Sequence, residues 1–174
     1  MPLRLTKTAL VAAVALFYTL VVFNNLTDYD SNYQFVRHVL AMDTTFPGNR
    51  GMWRAISSPA VHTLFYLSII AWEIVTMVLG WWATIRMARA LDAAADGFAR
   101  ARGAAVVALG SSLLMWLVAF LAVGGEWFLM WQSRTWNGQD AAFRMFAVAG
   151  IVLLVVLSPE DSSRSTDPPP PGRR

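Results

Sequence analysis

The sequence predicts an all-α fold, a four-helix transmembrane bundle with a short interfacial helix in its first outer loop. Three observations predict it. Four apolar runs divide most of the 174-residue chain, each near the roughly 20 residues that cross a hydrocarbon core of about 30 Å. The composition is 56% hydrophobic and 14% charged, with a mean hydropathy of +0.47, against about 25% charged residues in soluble domains. The 14 Lys and Arg residues flank the apolar runs and do not gather on one face, so the net charge of +3 fits membrane orientation better than nucleic-acid binding. Cysteine is absent, which excludes disulfides, thiol catalysis, thiolate-held iron–sulfur clusters and covalent c-type haem.

The spans are predicted at about 8–26, 59–84, 103–131 and 141–157, inside one membrane domain over 1–157. Residues 158–174 read as a disordered, Pro-rich cytoplasmic tail that cannot bury a core. Arg4 and Lys7 before the first run resemble the start of a signal peptide. That run ends in Phe23-Asn24-Asn25-Leu26, which offers no small-residue cleavage site, so the segment is read as a retained first helix.

The loop from Thr27 to Ser58 is too long for a plain turn. Asp30-Ser31 can cap a helix that carries Tyr33, Val36, Val39 and Leu40 at helical spacing, lying along the outer interface with its apolar side down. Phe46-Pro47-Gly48-Asn49 reads as a turn. Ser58-Pro59 starts the second span, serine as N-cap and proline at the first helical position, where no N–H is needed. Arg86 to Arg102 reads as a short link, a helical extension of the second span. In the third span Ala108, Ser112, Met115, Ala119, Ala122 and Glu126 recur at spacings of four and three. Such a seam of mostly small residues lets helix backbones approach closely, and it reads as bundle core in preference to a ligand groove.

With four spans both termini share a side. That side carries nine basic residues (Arg4, Lys7, Arg86, Arg89, Arg100, Arg102, Arg164, Arg173, Arg174) and the other five (Arg37, Arg50, Arg54, Arg134, Arg144). The positive-inside rule therefore places both termini in the cytoplasm. Trp53, Trp127, Trp131 and Trp136 then gather outside, and Trp81 and Trp82 inside.

Three stretches carry a resemblance. They are Asn24-Asn25-Leu26-Thr27-Asp28-Tyr29, His38-Val39-Leu40-Ala41-Met42-Asp43-Thr44-Thr45-Phe46-Pro47-Gly48-Asn49, and Gly124-Gly125-Glu126-Trp127-Phe128 with the following Met130-Trp131-Gln132-Ser133 and Trp136-Asn137-Gly138-Gln139. The chain up to about Leu157 resembles a bacterial domain-of-unknown-function family of predicted small integral membrane proteins. The resemblance implies four helices in a bacterial inner (plasma) membrane and no particular activity; the proline-rich tail is outside the family pattern.

In this topology the motifs end on the outer side, so a polar and aromatic cluster is expected there: Asn24, Asn25, Asp28, His38, Asp43, Trp127, Trp131, Gln132, Trp136 and Asn137, with Glu126 and Arg144 at comparable depth. An ion pair between Glu126 and Arg144 is the default way to keep both in lipid; the alternative makes Glu126 a proton carrier or cation ligand. Gly124-Gly125 beside it reads as close packing. In the second span His62, Tyr66, Glu73 and Gly80 share a face at spacings of 4, 7 and 7. Glu73 lies near mid-span, about 16 Å along the axis from His62. It reads either as a neutral acid bonded to Thr19, Tyr18 or Trp116, or as part of a proton relay inward from His62.

No cofactor is assigned. A b-type haem would have only His38 and His62 as axial histidines, and no pair among His38, Asp43, His62 and Glu126 has helix-face metal-ligand spacing. Nucleophile-elbow, phosphate-loop and dinucleotide motifs are lacking, so the reading leans away from an enzyme. The expected partners are the lipid bilayer and either further copies of the chain or a larger membrane complex, with no nucleic acid. The leading expectation is a structural or accessory component of such a complex. The alternative is a small ion or proton carrier or sensor that uses Glu126, Glu73 and His62.

Overall fold

A computed structural model describes residues 1–159; the expected disordered tail, apart from Ser158 and Pro159, lies outside the described residues. Among these, the chain is all-helical. Helix α1 covers Pro2–Thr27, α2 Tyr29–Ala41, α3 Pro59–Arg89, α4 Ala95–Leu114 and α5 Gln139–Leu157. Helix α4 continues without a break into a π-helical stretch, Met115–Trp127, and single 3₁₀ turns stand at Met52–Arg54 and Met130–Gln132. Four of these helices are long and apolar enough to cross a membrane: α1, α3, α4 with its π-helical continuation, and α5.

The four long helices run up and down, so α1 and α5 bring residues 1–7 and 158 to one end, while α2 and the long loop occupy the other. Helix α1 packs along α3, α3 along α4, and α4 along α5. The α1–α3 crossing is close because Gly80 faces Ala15. A Cβ on Gly80 would stand 3.0 Å from Ala15 Cβ and 3.3 Å from its Cα, the small-residue contact that brings membrane helices together. Near the termini the core is filled by Val11, Ala83, Met87, Phe98, Ala104, Ala105, Val152 and Val156.

Basic residues close this end. Lys7, fully buried, donates to Ser158 O at 2.5 Å. Arg102 donates to Val156 O and Ser158 O at 3.1 and 3.3 Å, and Arg4 donates to Leu91 O and Ala93 O while lying over the Phe98 ring. These cations bond carbonyls at and beyond the C-terminal ends of α5 and α3, which have no partner inside their own helices.

Some local expectations shift. Ser58 holds the N-cap position of α3 and Pro59 its first turn, but the serine hydroxyl makes no capping bond. Helix α2 begins at Tyr29, not after Asp30-Ser31: α1 runs to Thr27, Asp28 alone makes the corner, and Ser31 Oγ donates back to its carboxylate at 2.8 Å. The link around Arg86–Arg102 is shared, α3 reaching Arg89 and α4 reaching back to Ala95.

The small-residue seam follows its four-and-three spacing only through Met115. Ala108, Ser112 and Met115 are buried, Ala119 is half-buried, and Ala122 and Glu126 are exposed. The turn widens there to i→i+5 bonding, and Phe128 N still donates to Val123 O at 3.0 Å. A face extrapolated at α-helical spacing therefore rotates away from the core.

Candidate functional site

Asn25 lies two residues before the end of α1, yet its Nδ2 donates to Glu73 Oε2 at 2.6 Å. Glu73 is the fifteenth residue of α3, so about 21 Å of that helix precedes the contact at 1.5 Å per residue. Beside this first part of α3 lies α2 in place of α1. Tyr66 packs edge-on against Tyr29, with ring centroids 4.7 Å apart, and near Tyr33. Folding α2 back after Asp28 thus roofs the end of α1 and encloses Glu73 close to that end of the bundle.

A mixed polar and apolar cleft of about 310 Å³ opens under this roof. Asn24, Asn25, Asn32, Tyr66 and Glu73 supply its polar lining, and Phe35, Trp116 and Phe120 its aromatic walls. Asn32 Nδ2 and the Tyr66 hydroxyl both donate to Asn25 Oδ1, at 2.6 and 3.3 Å, so one asparagine ties α1, α2 and α3 together. Glu73 is 3% exposed. Its second oxygen, Oε1, has no hydrogen-bond partner among the described residues, and the residue lines the cleft. The partner is Asn25 and none of Thr19, Tyr18 and Trp116, each of which is engaged elsewhere. Trp81 donates to Thr19, and Trp116 Nε1 donates to the Tyr18 hydroxyl, which shares a 2.7 Å hydrogen bond with Ser112.

The remaining candidates separate by position. His62 Nε2 donates to Ile56 O at 2.7 Å, fixing the loop before α3, so that nitrogen is committed outside any chain leading to Glu73. His38 Nδ1 meets both carboxylate oxygens of Asp43 at 2.8 and 2.9 Å, and its ring stacks on Trp136 at 4.7 Å. The two histidines are thus engaged with different partners. Gln132 Oε1 accepts from Phe46 N and Asn49 Nδ2, and Asn137 Oδ1 accepts from Gln139 N at the start of α5. These residues stitch the loops over the bundle end. Trp127 and Trp131 are exposed on its rim; Trp127 lies edge-on to Trp53, and Arg54 stands over both of those rings.

Glu126 and Arg144 are both exposed, and among the described residues no ion pair joins them. The π-helical winding explains why: it turns Glu126 off the face that meets α5, and its backbone carbonyl accepts from Arg54 at 3.5 Å. Sequence reasoning named Asn25 and Glu73 without pairing them, and it missed Asn32 and Phe35. The signal for those two was their i, i+3, i+4 spacing with the buried Val36 on α2.

The family described as "Predicted small integral membrane protein (DUF2165)" matches residues 3–159. The chain belongs to this family. The match covers all four membrane helices and α2, so the cleft lies wholly within the DUF2165 region. Among curated proteins and among solved structures, nothing matches the chain.

Proposed function

We propose that this DUF2165 member is a small binding protein of the bacterial inner membrane, a sensor or carrier, that takes an ammonium group at Glu73 in the cleft beneath α2. The observation that carries the reading is the open Glu73 Oε1 in a side chain that is otherwise buried. A carboxylate in a membrane domain is costly unless paired, and a bound cation supplies the pairing. The chemistry of the lining narrows the cation. One carboxylate, the side-chain carbonyls of Asn24 and Asn32, and aromatic walls suit an ammonium, which donates to oxygen and is attracted to ring faces. A hard divalent ion such as calcium asks for six to eight oxygen ligands.

The carrier or sensor alternative therefore rests on Glu73, without Glu126 or His62 in the cation site. Assembly with further copies or a larger complex has the aromatic rim as its support, and a belt of interfacial tryptophans accounts for that rim equally well. The cleft has no such explanation. With both termini in the cytoplasm, the orientation favoured by the nine-to-five distribution of basic residues, the cleft opens towards the outer side.

Calorimetry in lipid nanodiscs tests the reading, with n-butylammonium as probe and n-butanol as neutral control. Saturable binding of the ammonium alone is expected. Glu73→Gln should weaken it at least tenfold, since a hydrogen bond to a charged group contributes about 1.5–3 kcal/mol. Equal binding of the alcohol, or undiminished binding by Glu73→Gln, would contradict it.

A further inference from the structure

A second cavity, of about 370 Å³, adjoins the Glu73 cleft, and Phe35, Val36, Ile69 and Phe120 line both. Its own walls are apolar: Phe65, Trp72, Val118, Ala119, Val123 and Phe128. It exists because α3 packs along α4 but parts from the π-helical continuation of α4, which approaches α5 instead. Val118 is 41% exposed and Ser68 is also exposed, so the cavity opens sideways between α3 and the π-helix, where a membrane domain meets lipid. At about 30 Å³ for a water-sized group, the 370 Å³ has room for a chain of about twelve methylenes.

Of the four residues between the two cavities, Phe35 and Phe120 form an aromatic contact. The rings of Phe35 and Phe120 stack with centroids 6.4 Å apart. Gly138 backs the Phe35 ring so closely that a Cβ there would stand 2.8 Å from Phe35 Cζ. Polar acceptors thus lie on one side of the Phe35 ring, and a laterally open apolar slot lies on the other.

We propose that the natural ligand is an amphiphile, an ammonium head on a single apolar chain, with its head at Glu73 and its chain in the slot between α3 and the π-helix. This rests on the ammonium reading of the cleft and adds the tail and its route. Transfer of the chain from the bilayer to the slot exchanges one apolar surrounding for another, so the head supplies the selectivity and the slot decides where the chain lies. The ligand enters sideways from the lipid, past Phe35.

The test uses dodecylamine with a photoreactive diazirine near the chain terminus, incorporated into nanodiscs holding the full chain. Saturable labelling is expected on the slot walls, within 65–72 and 118–123, competed by unlabelled dodecylamine and reduced at least tenfold in Glu73→Gln. Ala119→Phe fills the slot; it should abolish this labelling while n-butylammonium still binds, which also reports a folded cleft. Labelling of the same walls to the same extent by the neutral dodecanol analogue would overturn the proposal. So would labelling by the amine outside the slot, or Ala119→Phe leaving it unchanged; with n-butylammonium bound normally, those two results would leave the ammonium site standing. Failure of both amines to bind would overturn both.

Discussion

Asn25 and Glu73, 48 residues apart in sequence, are joined by a 2.6 Å hydrogen bond that fixes the last turn of α1 against the middle of α3. Because Asn32 and Tyr66 donate to the same Asn25 side chain, this amide also holds α2 over the cleft. One short polar residue thereby joins Glu73, the end of α1 and the roof of the site.

This relationship predicts non-additive stability. Asn25→Ala removes the donor to Glu73 and should cost about 1–3 kcal/mol, the penalty for an unsatisfied buried group. Glu73→Leu removes the acceptor. In the double variant the two losses should couple by about 0.5–3 kcal/mol, as for residues in direct contact. Unfolding in bicelles measures it; losses that simply add would mean that the hydrogen bond contributes nothing.

Glu126 and Arg144 should behave in the opposite way. Both are exposed and unpaired with each other, so Glu126→Gln and Arg144→Gln should each change stability by no more than about 0.5 kcal/mol. Their effects should add. The same unfolding assay applies, and a coupling above that size would place the two side chains in contact.

The contrast between these pairs shows where the sequence could be read and where it could not. Hydropathy marks the four long helices because each must satisfy its own backbone in lipid, and Ser58-Pro59 marks the start of α3 through the missing proline N–H. The π-helical stretch leaves no such mark. Met115–Trp127 is uniformly apolar up to Glu126, so α-helical spacing extrapolated through it puts Glu126 on the wrong face. The cleft was half legible. Asn24-Asn25 and Glu73 stand out as polar groups in apolar runs, but their meeting depends on α1 ending level with the middle of α3, which follows from packing at Gly80 and Ala15 and not from periodicity.

That packing can be tested directly. Gly80→Val should be destabilising by about 1–3 kcal/mol, the usual cost of overfilling a packed contact, because Ala15 already lies 3.0 Å from where a Cβ would stand. Gly110, which has open space around it, is the control: Gly110→Ala should be neutral or slightly stabilising, since alanine is the better helix former. Equal responses at the two glycines, read from thermal unfolding in detergent, would argue against a close α1–α3 crossing.

Orientation is open to a labelling experiment. Asn49 lies in the loop between α2 and α3, and the chain has no native cysteine. Asn49→Cys should therefore react with an impermeant maleimide added to spheroplasts, while Asp92→Cys, in the turn between α3 and α4, should react only after lysis. The reverse pattern would turn the cleft towards the cytoplasm.

The ligand-binding carboxylate we propose is Glu73, and not the more conspicuous Glu126. Its most direct test is n-butylammonium calorimetry on Glu73→Gln and Glu126→Gln side by side in the same nanodiscs. A loss of affinity of at least tenfold is expected for Glu73→Gln, given about 1.4 kcal/mol for each factor of ten, with Glu126→Gln indistinguishable from the unaltered protein. The claim is contradicted if Glu126→Gln shows the loss and Glu73→Gln does not.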